Sequence, residues 1–189
     1  VVANPSYVRY QVLDEATRAL LSDRFVTCGE GNFNLFFPFF EAAYDALADG
    51  GVAGFVTPNG FFGSRSGAPL REWLRERDWL DDVVDFGHSH VFNASTYTAV
   101  TFGTKRVCAR SERVFGYVGV DGVAGLEALV PDWSGNAGAV TVPVGKRPWR
   151  LTSAGDADAI ARIAGSGVPL GEAAEVRAGV ATLRDRLFF

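Results

Sequence analysis

The stretch that decides the fold is Val1-Val2-Ala3-Asn4-Pro5-Ser6-Tyr7-Val8-Arg9-Tyr10, a short apolar run that stops at Asn-Pro. A β-branched pair, followed by a residue that the next proline holds extended, indicates the end of a strand and a stiff turn. In open α/β sheets, ligands bind at the carboxyl ends of the strands. We therefore expect residues 4–7 to lie at the ligand-binding edge of such a sheet.

The side chains of this turn suit one kind of chemistry. The side-chain carbonyl of Asn4 and the backbone carbonyl of Pro5 are neutral acceptors that can both face one exocyclic amino group. Such a pair draws on the protons of an NH2 group and makes its nitrogen a better nucleophile without a strong base. Tyr7 adds a flat face on which a base can stack. An ordinary Asn-Pro turn after a strand explains these four residues equally well.

The hydrophobic pattern that follows predicts alternating helices and strands. Residues 34–48 place Phe36, Phe40, Ala43 and Leu47 on one helical face, and Gly50-Gly51 ends that helix. The further predicted elements are a strand over residues 52–57, a helix over 64–77, a strand over 81–86, and strands over 97–104, 114–120 and 139–144. This order is typical of a parallel α/β sheet.

Two predicted helices carry expectations about burial. In residues 64–77 we expect Leu70, Trp73 and Leu74 to face the core, with three arginines facing outward, namely Arg71, Arg75 and Arg77. Such a cluster forms a solvated face or contacts phosphate groups. A later helix over residues 153–164 is expected to bury Ile160 and Ile163.

Composition bounds the class of protein. The 189 residues include no Met and begin inside an apolar run, so we interpret them as a fragment with one full domain and part of a second. A hydrophobic content of 48% suffices for a packed core, and the net charge of -4 argues against a dedicated basic DNA-coating surface while leaving room for local basic patches. Cys28 and Cys108 show no disulfide or metal-ligand spacing, which favours a reducing, cytoplasmic setting. No apolar run approaches the length of a membrane span, so no membrane partner is expected.

Several motifs, in order, resemble one family. Asn4-Pro5-Ser6-Tyr7 resembles the Asn-Pro-Pro-Tyr signature of amino-methyltransferases, with Ser6 as a departure. The motifs that follow are Gly-Phe-Val-Thr-Pro-Asn-Gly-Phe-Phe from Gly54, Leu-Arg-Glu-Trp-Leu from Leu70, Val-Val-Asp-Phe-Gly from Val83 and Val-Phe-Asn-Ala-Ser-Thr-Tyr-Thr-Ala-Val from Val91. Over residues 1–105 the set is similar to the catalytic half of gamma-class, adenine-specific DNA methyltransferases of restriction-modification and phage-defence systems.

The resemblance implies a fold and a domain organisation. Residues 1–145 would form the C-terminal half of a Rossmann-like class I methyltransferase domain, an α/β fold with a mostly parallel sheet. Residues 146–189 would begin a target-recognition domain, because Leu170-Gly171-Glu172 before Arg177-Ala178-Gly179-Val180 resembles its opening. A small helical cap on the α/β unit is the alternative for this last segment.

The resemblance also implies a reaction. A methyl group from S-adenosylmethionine would go to adenine N6 in double-stranded DNA. Asn4 and Pro5 would accept hydrogen bonds from the amino group, and Tyr7 and Phe92 would hold the flipped base between them. Arg177 and Arg184 would contact DNA, and other subunits of a restriction or defence system are the further partners expected.

The glycine-rich loop that holds S-adenosylmethionine in this family has no convincing equivalent here. Cys28-Gly29-Glu30-Gly31-Asn32 is rich in glycine but does not follow a predicted strand. We therefore expect the isolated chain to bind the cofactor weakly and to be inactive.

Other functions stay open from the sequence. The alternatives are a protein-glutamine amide methyltransferase, a non-catalytic DNA-binding or assembly module, and a parent protein that also cleaves DNA. His88-Ser89-His90 gives no catalytic triad without a nucleophile elbow, so we interpret it as a solvated loop. Asp81, Asp82 and Asp85 lack a nearby His or Cys at metal-ligand spacing, so we expect solvated or capping roles and no metal.

Overall fold

Six strands form one sheet in the part of the chain that the computed structural model describes, which is residues 1–89, 91, 97–129, 137–142, 146–151 and 154–175. The strands are β1 (Val2–Ala3), β2 (Val52–Pro58), β3 (Leu80–Asp85), β4 (Thr98–Thr104), β5 (Val114–Gly119) and β6 (Gly138–Thr141). The α-helices are α1 (Glu15–Arg24), α2 (Phe37–Ala46), α3 (Ala68–Glu76), α4 (Gly122–Leu129), α5 (Ala154–Gly165) and α6 (Leu170–Ala173). Short 3-10 helices cover Tyr10–Val12, Val26–Cys28 and Asn59–Phe62.

The sheet is mixed rather than fully parallel. Its strands lie in the order β1-β2-β4-β3-β5-β6. Strands β1, β2, β3 and β5 share one direction, whereas β4 and β6 run against them. The alternation of residues 97–104 predicted a strand but carried no information about its direction. Because β4 pairs antiparallel with β3, the segment that joins them starts and ends at the same edge of the sheet.

Aromatic side chains build the core on the face of the sheet that α2 and α3 cover. Phe40 of α2 is fully buried, with its ring centroid 4.7 Å from that of Phe55 on β2 and 5.5 Å from that of Trp79 before β3. Tyr44 of α2 meets Trp73 of α3 edge to face at 5.5 Å. The predicted inward positions Phe40, Leu70, Trp73 and Leu74 are therefore confirmed.

Arg71 is the exception to the predicted faces of α3. Its side chain is 1% exposed, so the prediction that it faces solvent was wrong. The guanidinium donates to the backbone carbonyls of Phe61, Ser64, Lys146 and Arg147. No carboxylate of the described residues pairs with it, so peptide dipoles alone satisfy this buried charge. Burial lowers the pKa of Arg71 below its usual value.

Helix α4 is absent from the sequence-based expectations. The sequence-based elements leave a gap between the strands over residues 114–120 and 139–144, where Gly122 and Gly125 lower the helix propensity. Gly122 has a φ of +65° at the start of the helix, a value that suits glycine, and Leu129 at its end is buried. Gly122 therefore marks the start of α4 rather than a loop.

The chain divides into two compact units, Val1–Ser153 and Ala154–Phe189. Residues 146–151 lie in the first unit, where Trp149 is 3% exposed and stacks on Phe62 at 6.2 Å. The first unit thus extends beyond the boundary expected at residue 145, and the assignment of the second unit to a target-recognition domain stays a prediction.

In the described part of the second unit, α5 forms as predicted over Ala154–Gly165. Ile163, however, is 72% exposed, and Ile160 is 39% exposed, so the prediction that they are buried was wrong. All residues from 160 to 175 are exposed, and this stretch therefore has no core in which those side chains could be placed. None of the helices described in the chain has both the length and the apolar character needed to cross a membrane.

Candidate functional site

The turn after β1 joins Asn4 to Tyr7 through a hydrogen bond. Strand β1 pairs in parallel with β2, with Ala3 opposite Phe55, so Asn4 follows directly at the carboxyl edge of the sheet. The single hydroxyl proton of Tyr7 is shared between the side-chain oxygen of Asn4 at 2.7 Å and the backbone carbonyl oxygen of Val56 at 3.0 Å. This contact fixes the Asn4 carboxamide relative to β2.

The remainder of the turn combines a buried anchor with exposed polar groups. Pro5 is buried, whereas Asn4 and Ser6 are exposed and Tyr7 is half-buried. The Tyr7 ring meets Phe36 edge to face at 6.3 Å, and burial raises the pKa of its hydroxyl above 10.0. Tyr7 therefore stays protonated near neutral pH and keeps its role as a donor. Because a carboxamide oxygen has two lone pairs, Asn4 retains one for a ligand.

A large cleft includes Phe36, the residue against which the Tyr7 ring packs, although none of residues 4–7 lines it. Its volume is about 1350 Å³, and residues that follow β1 and β2 line it, including Tyr10, Phe36, Pro58 and Gly60. Its charged lining residues are Arg9, Glu30, Arg65, Arg71 and Lys146. The side chains of Arg9, Arg65 and Lys146 are exposed, and Lys146 pairs with Glu30 at 2.5 Å. The cleft is therefore positive within a chain whose formal net charge is -4.

A second polar cluster lies where β2, β3 and β5 end, and the sequence reasoning missed it. The Asn59 side-chain amide donates to Asp85 Oδ1 at 2.8 Å and to the Gly87 carbonyl at 3.2 Å. Asp85 also accepts from the Gly87 backbone N–H at 2.9 Å and from the Tyr117 hydroxyl at 3.3 Å. A polar residue directly after a buried strand was the available signal, and it stood in Pro58-Asn59-Gly60.

The acidic and His-Ser candidates have local structural partners. Asp85 caps the turn at Gly87, and Asp81 accepts hydrogen bonds from Thr104 and Arg106. The Ser89 hydroxyl donates to Asp121 at 2.5 Å, and the His88 ring packs edge to face on Tyr97 at 4.8 Å. These contacts agree with the capping role expected for Asp85 and the loop role expected for His88, whereas Asp81 is an ion-pair partner of Arg106 rather than a solvated or capping residue.

Some residues singled out from the sequence lie outside the described part of the chain. Phe92, Arg177 and Arg184 are among them, as is His90. The structure thus brings together Asn4, Pro5 and Tyr7, and the roles of Phe92 and of the two arginines stay predictions.

Comparison with known proteins connects this geometry to a family. The model of the Eco57I restriction-modification methylase family matches residues 1–92. The type II methyltransferase M.PaeR7I of Pseudomonas aeruginosa is 31% identical over 201 residues, an alignment that covers 100% of this chain and 34% of the relative. The chain therefore spans about a third of the length of that curated relative.

Two solved structures share the fold. The type ISP restriction-modification enzyme LlaBIII, bound to DNA, matches with a TM-score of 0.59 and 19% identity, covering 82% of this chain and 13% of that one. The type I restriction-modification methyltransferase subunit from Streptococcus thermophilus matches with a TM-score of 0.51 and 20% identity, covering 71% and 31%. The predicted α/β Rossmann-like fold is thereby confirmed. The chain is a relative of the methyltransferases of restriction-modification systems, as its motifs predicted.

Proposed function

We propose that this chain forms the target-base side of a DNA adenine-N6 methyltransferase whose methyl donor is S-adenosylmethionine. The observation that carries the proposal is the Asn4 side-chain oxygen, which the Tyr7 hydroxyl holds at 2.7 Å at the carboxyl edge of β1. The family match over residues 1–92 includes this turn. The adenine specificity rests on the Asn4-Pro5-Ser6-Tyr7 motif.

In this proposal the turn binds and orients the amino group of the target base. Asn4 donates no proton to the reaction; its oxygen accepts from one N–H of the base through the lone pair that Tyr7 leaves unused. The Pro5 carbonyl accepts from the other N–H, and the buried Pro5 ring keeps that backbone in place. Two neutral acceptors at fixed positions favour the geometry in which the nitrogen lone pair is free to react.

Base stacking is the second part of the proposal. A base that leaves the duplex loses stacking and pairing energy, and an aromatic surface offsets part of this cost. Tyr7 supplies a ring whose hydroxyl is held by Asn4 and Val56 and whose edge-to-face contact with Phe36 limits its rotation before the base arrives. Phe92 is proposed as the opposite face of the stack.

The positive cleft supports DNA as the partner. Arg9, Arg65 and Lys146 line a cleft of about 1350 Å³ that also includes Phe36, the ring against which Tyr7 packs. The exposed guanidinium groups of Arg9 and Arg65 suit contact with the phosphate backbone of DNA, whereas Lys146 pairs with Glu30. The solved relative LlaBIII is bound to DNA, which agrees with this partner.

The described residues do not fit a cradle for S-adenosylmethionine. Gly29 and Gly31 follow the 3-10 helix Val26–Cys28, not a strand, and Gly31 has open space around it rather than a close neighbour. A cofactor loop of this class needs glycine between a strand and a helix, where backbone approaches the ligand closely. When bound, the cofactor supplies the methyl group, and no residue of the described chain is assigned to hold it.

The decisive test uses the complete gene product. It is incubated with methyl-labelled S-adenosylmethionine and unmethylated duplex DNA, after which the DNA is digested and the labelled nucleoside identified. We expect N6-methyladenine from the wild type and none from Asn4→Ala, with thermal unfolding showing that the variant is folded.

Other results would redirect the interpretation. Label in a protein fraction rather than in DNA would favour a glutamine-amide methyltransferase. A folded wild type that transfers no label would favour a non-catalytic DNA-binding or assembly module. Another labelled nucleoside would refute adenine as the target.

A further inference from the structure

We infer that Asn59 is a positioning residue that ties the turn after β3, at Asp85 and Gly87, to Tyr97 before β4, and thereby fixes the two ends of the segment 86–97. The inference rests on the proposed function, because that segment contains Phe92, the proposed second stacking residue. No role was assigned above to Asn59, and the inference is drawn from its contacts alone.

Asn59 reaches both ends of the segment. Its backbone N–H donates to the Tyr97 carbonyl at 3.0 Å, which continues the β2–β4 pairing by one residue beyond Pro58 and Thr98. Its side-chain amide reaches past the start of β4 to Asp85 and to the Gly87 carbonyl. One residue therefore ties the last residue before β4 to the first turn after β3.

The start of the segment is shaped by the same cluster. Gly87 has a φ of +55°, a conformation that suits glycine, and its N–H donates to Asp85 Oδ1 at 2.9 Å. Asp85 Oδ1 thus accepts from both Asn59 and Gly87. Below this turn, the Phe86 N–H donates to the Thr98 carbonyl at 3.1 Å. These bonds set the direction in which the chain leaves and re-enters the sheet.

Asn59 is also linked to the acceptor turn through β2. The Val56 carbonyl, three residues before Asn59, accepts from the Tyr7 hydroxyl at 3.0 Å. Between them Pro58 has a φ of −56°, which its ring restricts, so the path from Val56 to Asn59 has little freedom. Strand β2 therefore holds Tyr7 at one residue and the segment 86–97 at another, and it fixes the separation between the two.

An asparagine suits this position better than its isosteres. The amide donates two hydrogen bonds, and both acceptors, Asp85 and the Gly87 carbonyl, lack protons to give. An aspartate at position 59 would have no donor and would place a second carboxylate beside Asp85. An alanine would leave both acceptors without this donor but would keep the backbone bond to Tyr97.

The test compares Asn59→Ala, Asn59→Ser and Asn59→Asp with Tyr117→Phe in the complete gene product. Tyr117→Phe is the matched control, because it removes a hydrogen bond to the same Asp85 carboxylate from the β5 side, away from the segment. The first measurement is amide hydrogen exchange of the peptide that spans residues 86–98. We expect faster exchange there in all three Asn59 variants, with the largest increase in Asn59→Asp, a smaller one in Asn59→Ala and the smallest in Asn59→Ser. We expect little change in Tyr117→Phe.

The second measurement is the steady-state kinetics of methyl transfer to unmethylated DNA. A displacement of about 1 Å in a positioned group lowers rates by up to about 100-fold, so we expect kcat for Asn59→Ala to fall by about 10-fold to 100-fold. We expect Tyr117→Phe to keep kcat within about threefold of the wild type.

The outcomes separate the inference from the proposed function. Unchanged exchange in Asn59→Ala overturns the inference whether or not the wild type is active. Faster exchange with unchanged kcat reduces Asn59 to a structural residue and also overturns it. An inactive wild type refutes the proposed function, and the exchange measurement still decides whether Asn59 holds the segment. If Asn59→Ala does not fold, Asn59→Ser, which retains one hydrogen-bond donor, replaces it in both measurements.

Discussion

The Tyr7 hydroxyl lies 2.7 Å from the Asn4 side-chain oxygen and donates to it, while the same proton is shared with the Val56 carbonyl of the neighbouring strand. Two residues of one motif are therefore coupled before any substrate binds. The bond fixes the orientation of the Asn4 carboxamide with its oxygen toward the Tyr7 hydroxyl, because the amide nitrogen cannot accept from a hydroxyl. Tyr7 thus orients Asn4, a task that is separable from its proposed stacking on a base.

Substitution at Tyr7 separates these tasks. Tyr7→Phe keeps the ring but removes the donor, and the absence of a hydrogen bond of about 1 kcal/mol lowers kcat/KM for methyl transfer about fivefold. Tyr7→Ala also removes the stacking surface, worth a further ~1–3 kcal/mol. We expect methyl-transfer activity in labelled-methyl assays to decrease from the wild type to Tyr7→Phe and again to Tyr7→Ala. Equal activity of Tyr7→Phe and wild type would show that the Asn4 contact has no part in the reaction.

Removal of a positive charge from the cleft should weaken the binding of DNA of any base sequence. Removing one cation that binds a phosphate reduces the slope of log K against log salt by about one. We expect this change for Arg65→Gln and for Arg9→Gln, measured by fluorescence anisotropy with labelled duplex DNA at several salt concentrations. Arg77→Gln is the matched control, because Arg77 is exposed and lies outside the cleft lining. Identical slopes in all three variants would exclude the cleft as the backbone-binding surface.

Asp78 should make the stability of the first unit depend on acid pH. It is 3% exposed, and burial acts to raise its pKa, but hydrogen bonds from Arg110 and the charges of Arg110 and Arg106 outweigh burial and hold the pKa below 3.8. A carboxyl whose pKa is lower in the folded state than in the unfolded state contributes its full stabilisation to the fold at pH values above the unfolded pKa. This stabilisation is lost as the pH falls through the pKa of the folded state. Stability should therefore decline below about pH 4.

The measurement is urea unfolding of the wild type and of Asp78→Asn between about pH 2.5 and pH 7, a range that spans the titration of a carboxyl. Asn keeps the shape and tolerates the positive φ of 46° at this position. We expect a decrease of about 1–3 kcal/mol in the free energy of unfolding at pH 7 and a flatter acid dependence than in the wild type. Asp45→Asn, on the exposed side of α2, is the control with the same change of charge. A parallel pH profile for Asp78→Asn and wild type would contradict the prediction.

Gly103 of β4 should not tolerate a side chain. A Cβ there would lie 2.4 Å from Trp79 Cδ2 and 2.5 Å from the Trp79 carbonyl oxygen. Because Trp79 is fully buried and the oxygen belongs to the backbone, neither neighbour can move away cheaply. We expect Gly103→Ala to lower the free energy of unfolding by about 1–3 kcal/mol. Gly119→Ala, whose nearest neighbour lies at 3.7 Å, should have a much smaller effect in the same thermal unfolding experiment.

Much of the architecture followed from the sequence because periodicity reports burial. Phe36, Phe40 and Leu74 occupy the core as their spacing predicted. Arg71 shows the limit of this approach, since two of its carbonyl partners, Lys146 and Arg147, come from a distant segment that no local pattern encodes. The direction of β4 was equally invisible, because alternation within a strand is the same in either direction.

The site was predicted in part for a similar reason. Asn4, Pro5 and Tyr7 stand within four consecutive residues, so their motif was readable. Asn59 acquires its importance only from Asp85 and Gly87, which are distant from it in sequence. A residue whose role lies in contacts across a sheet edge leaves no local signal beyond its position after a strand.

The way Arg71 holds residues 146–147 has a consequence for how this protein can diverge. The guanidinium binds the backbone carbonyls of Lys146 and Arg147, so the bonds do not depend on which side chains stand there. The side chain at position 147 can thus vary while the path of the chain is kept, whereas Lys146 also lines the cleft and pairs with Glu30. Among homologues we expect position 71 to stay arginine and position 147 to vary.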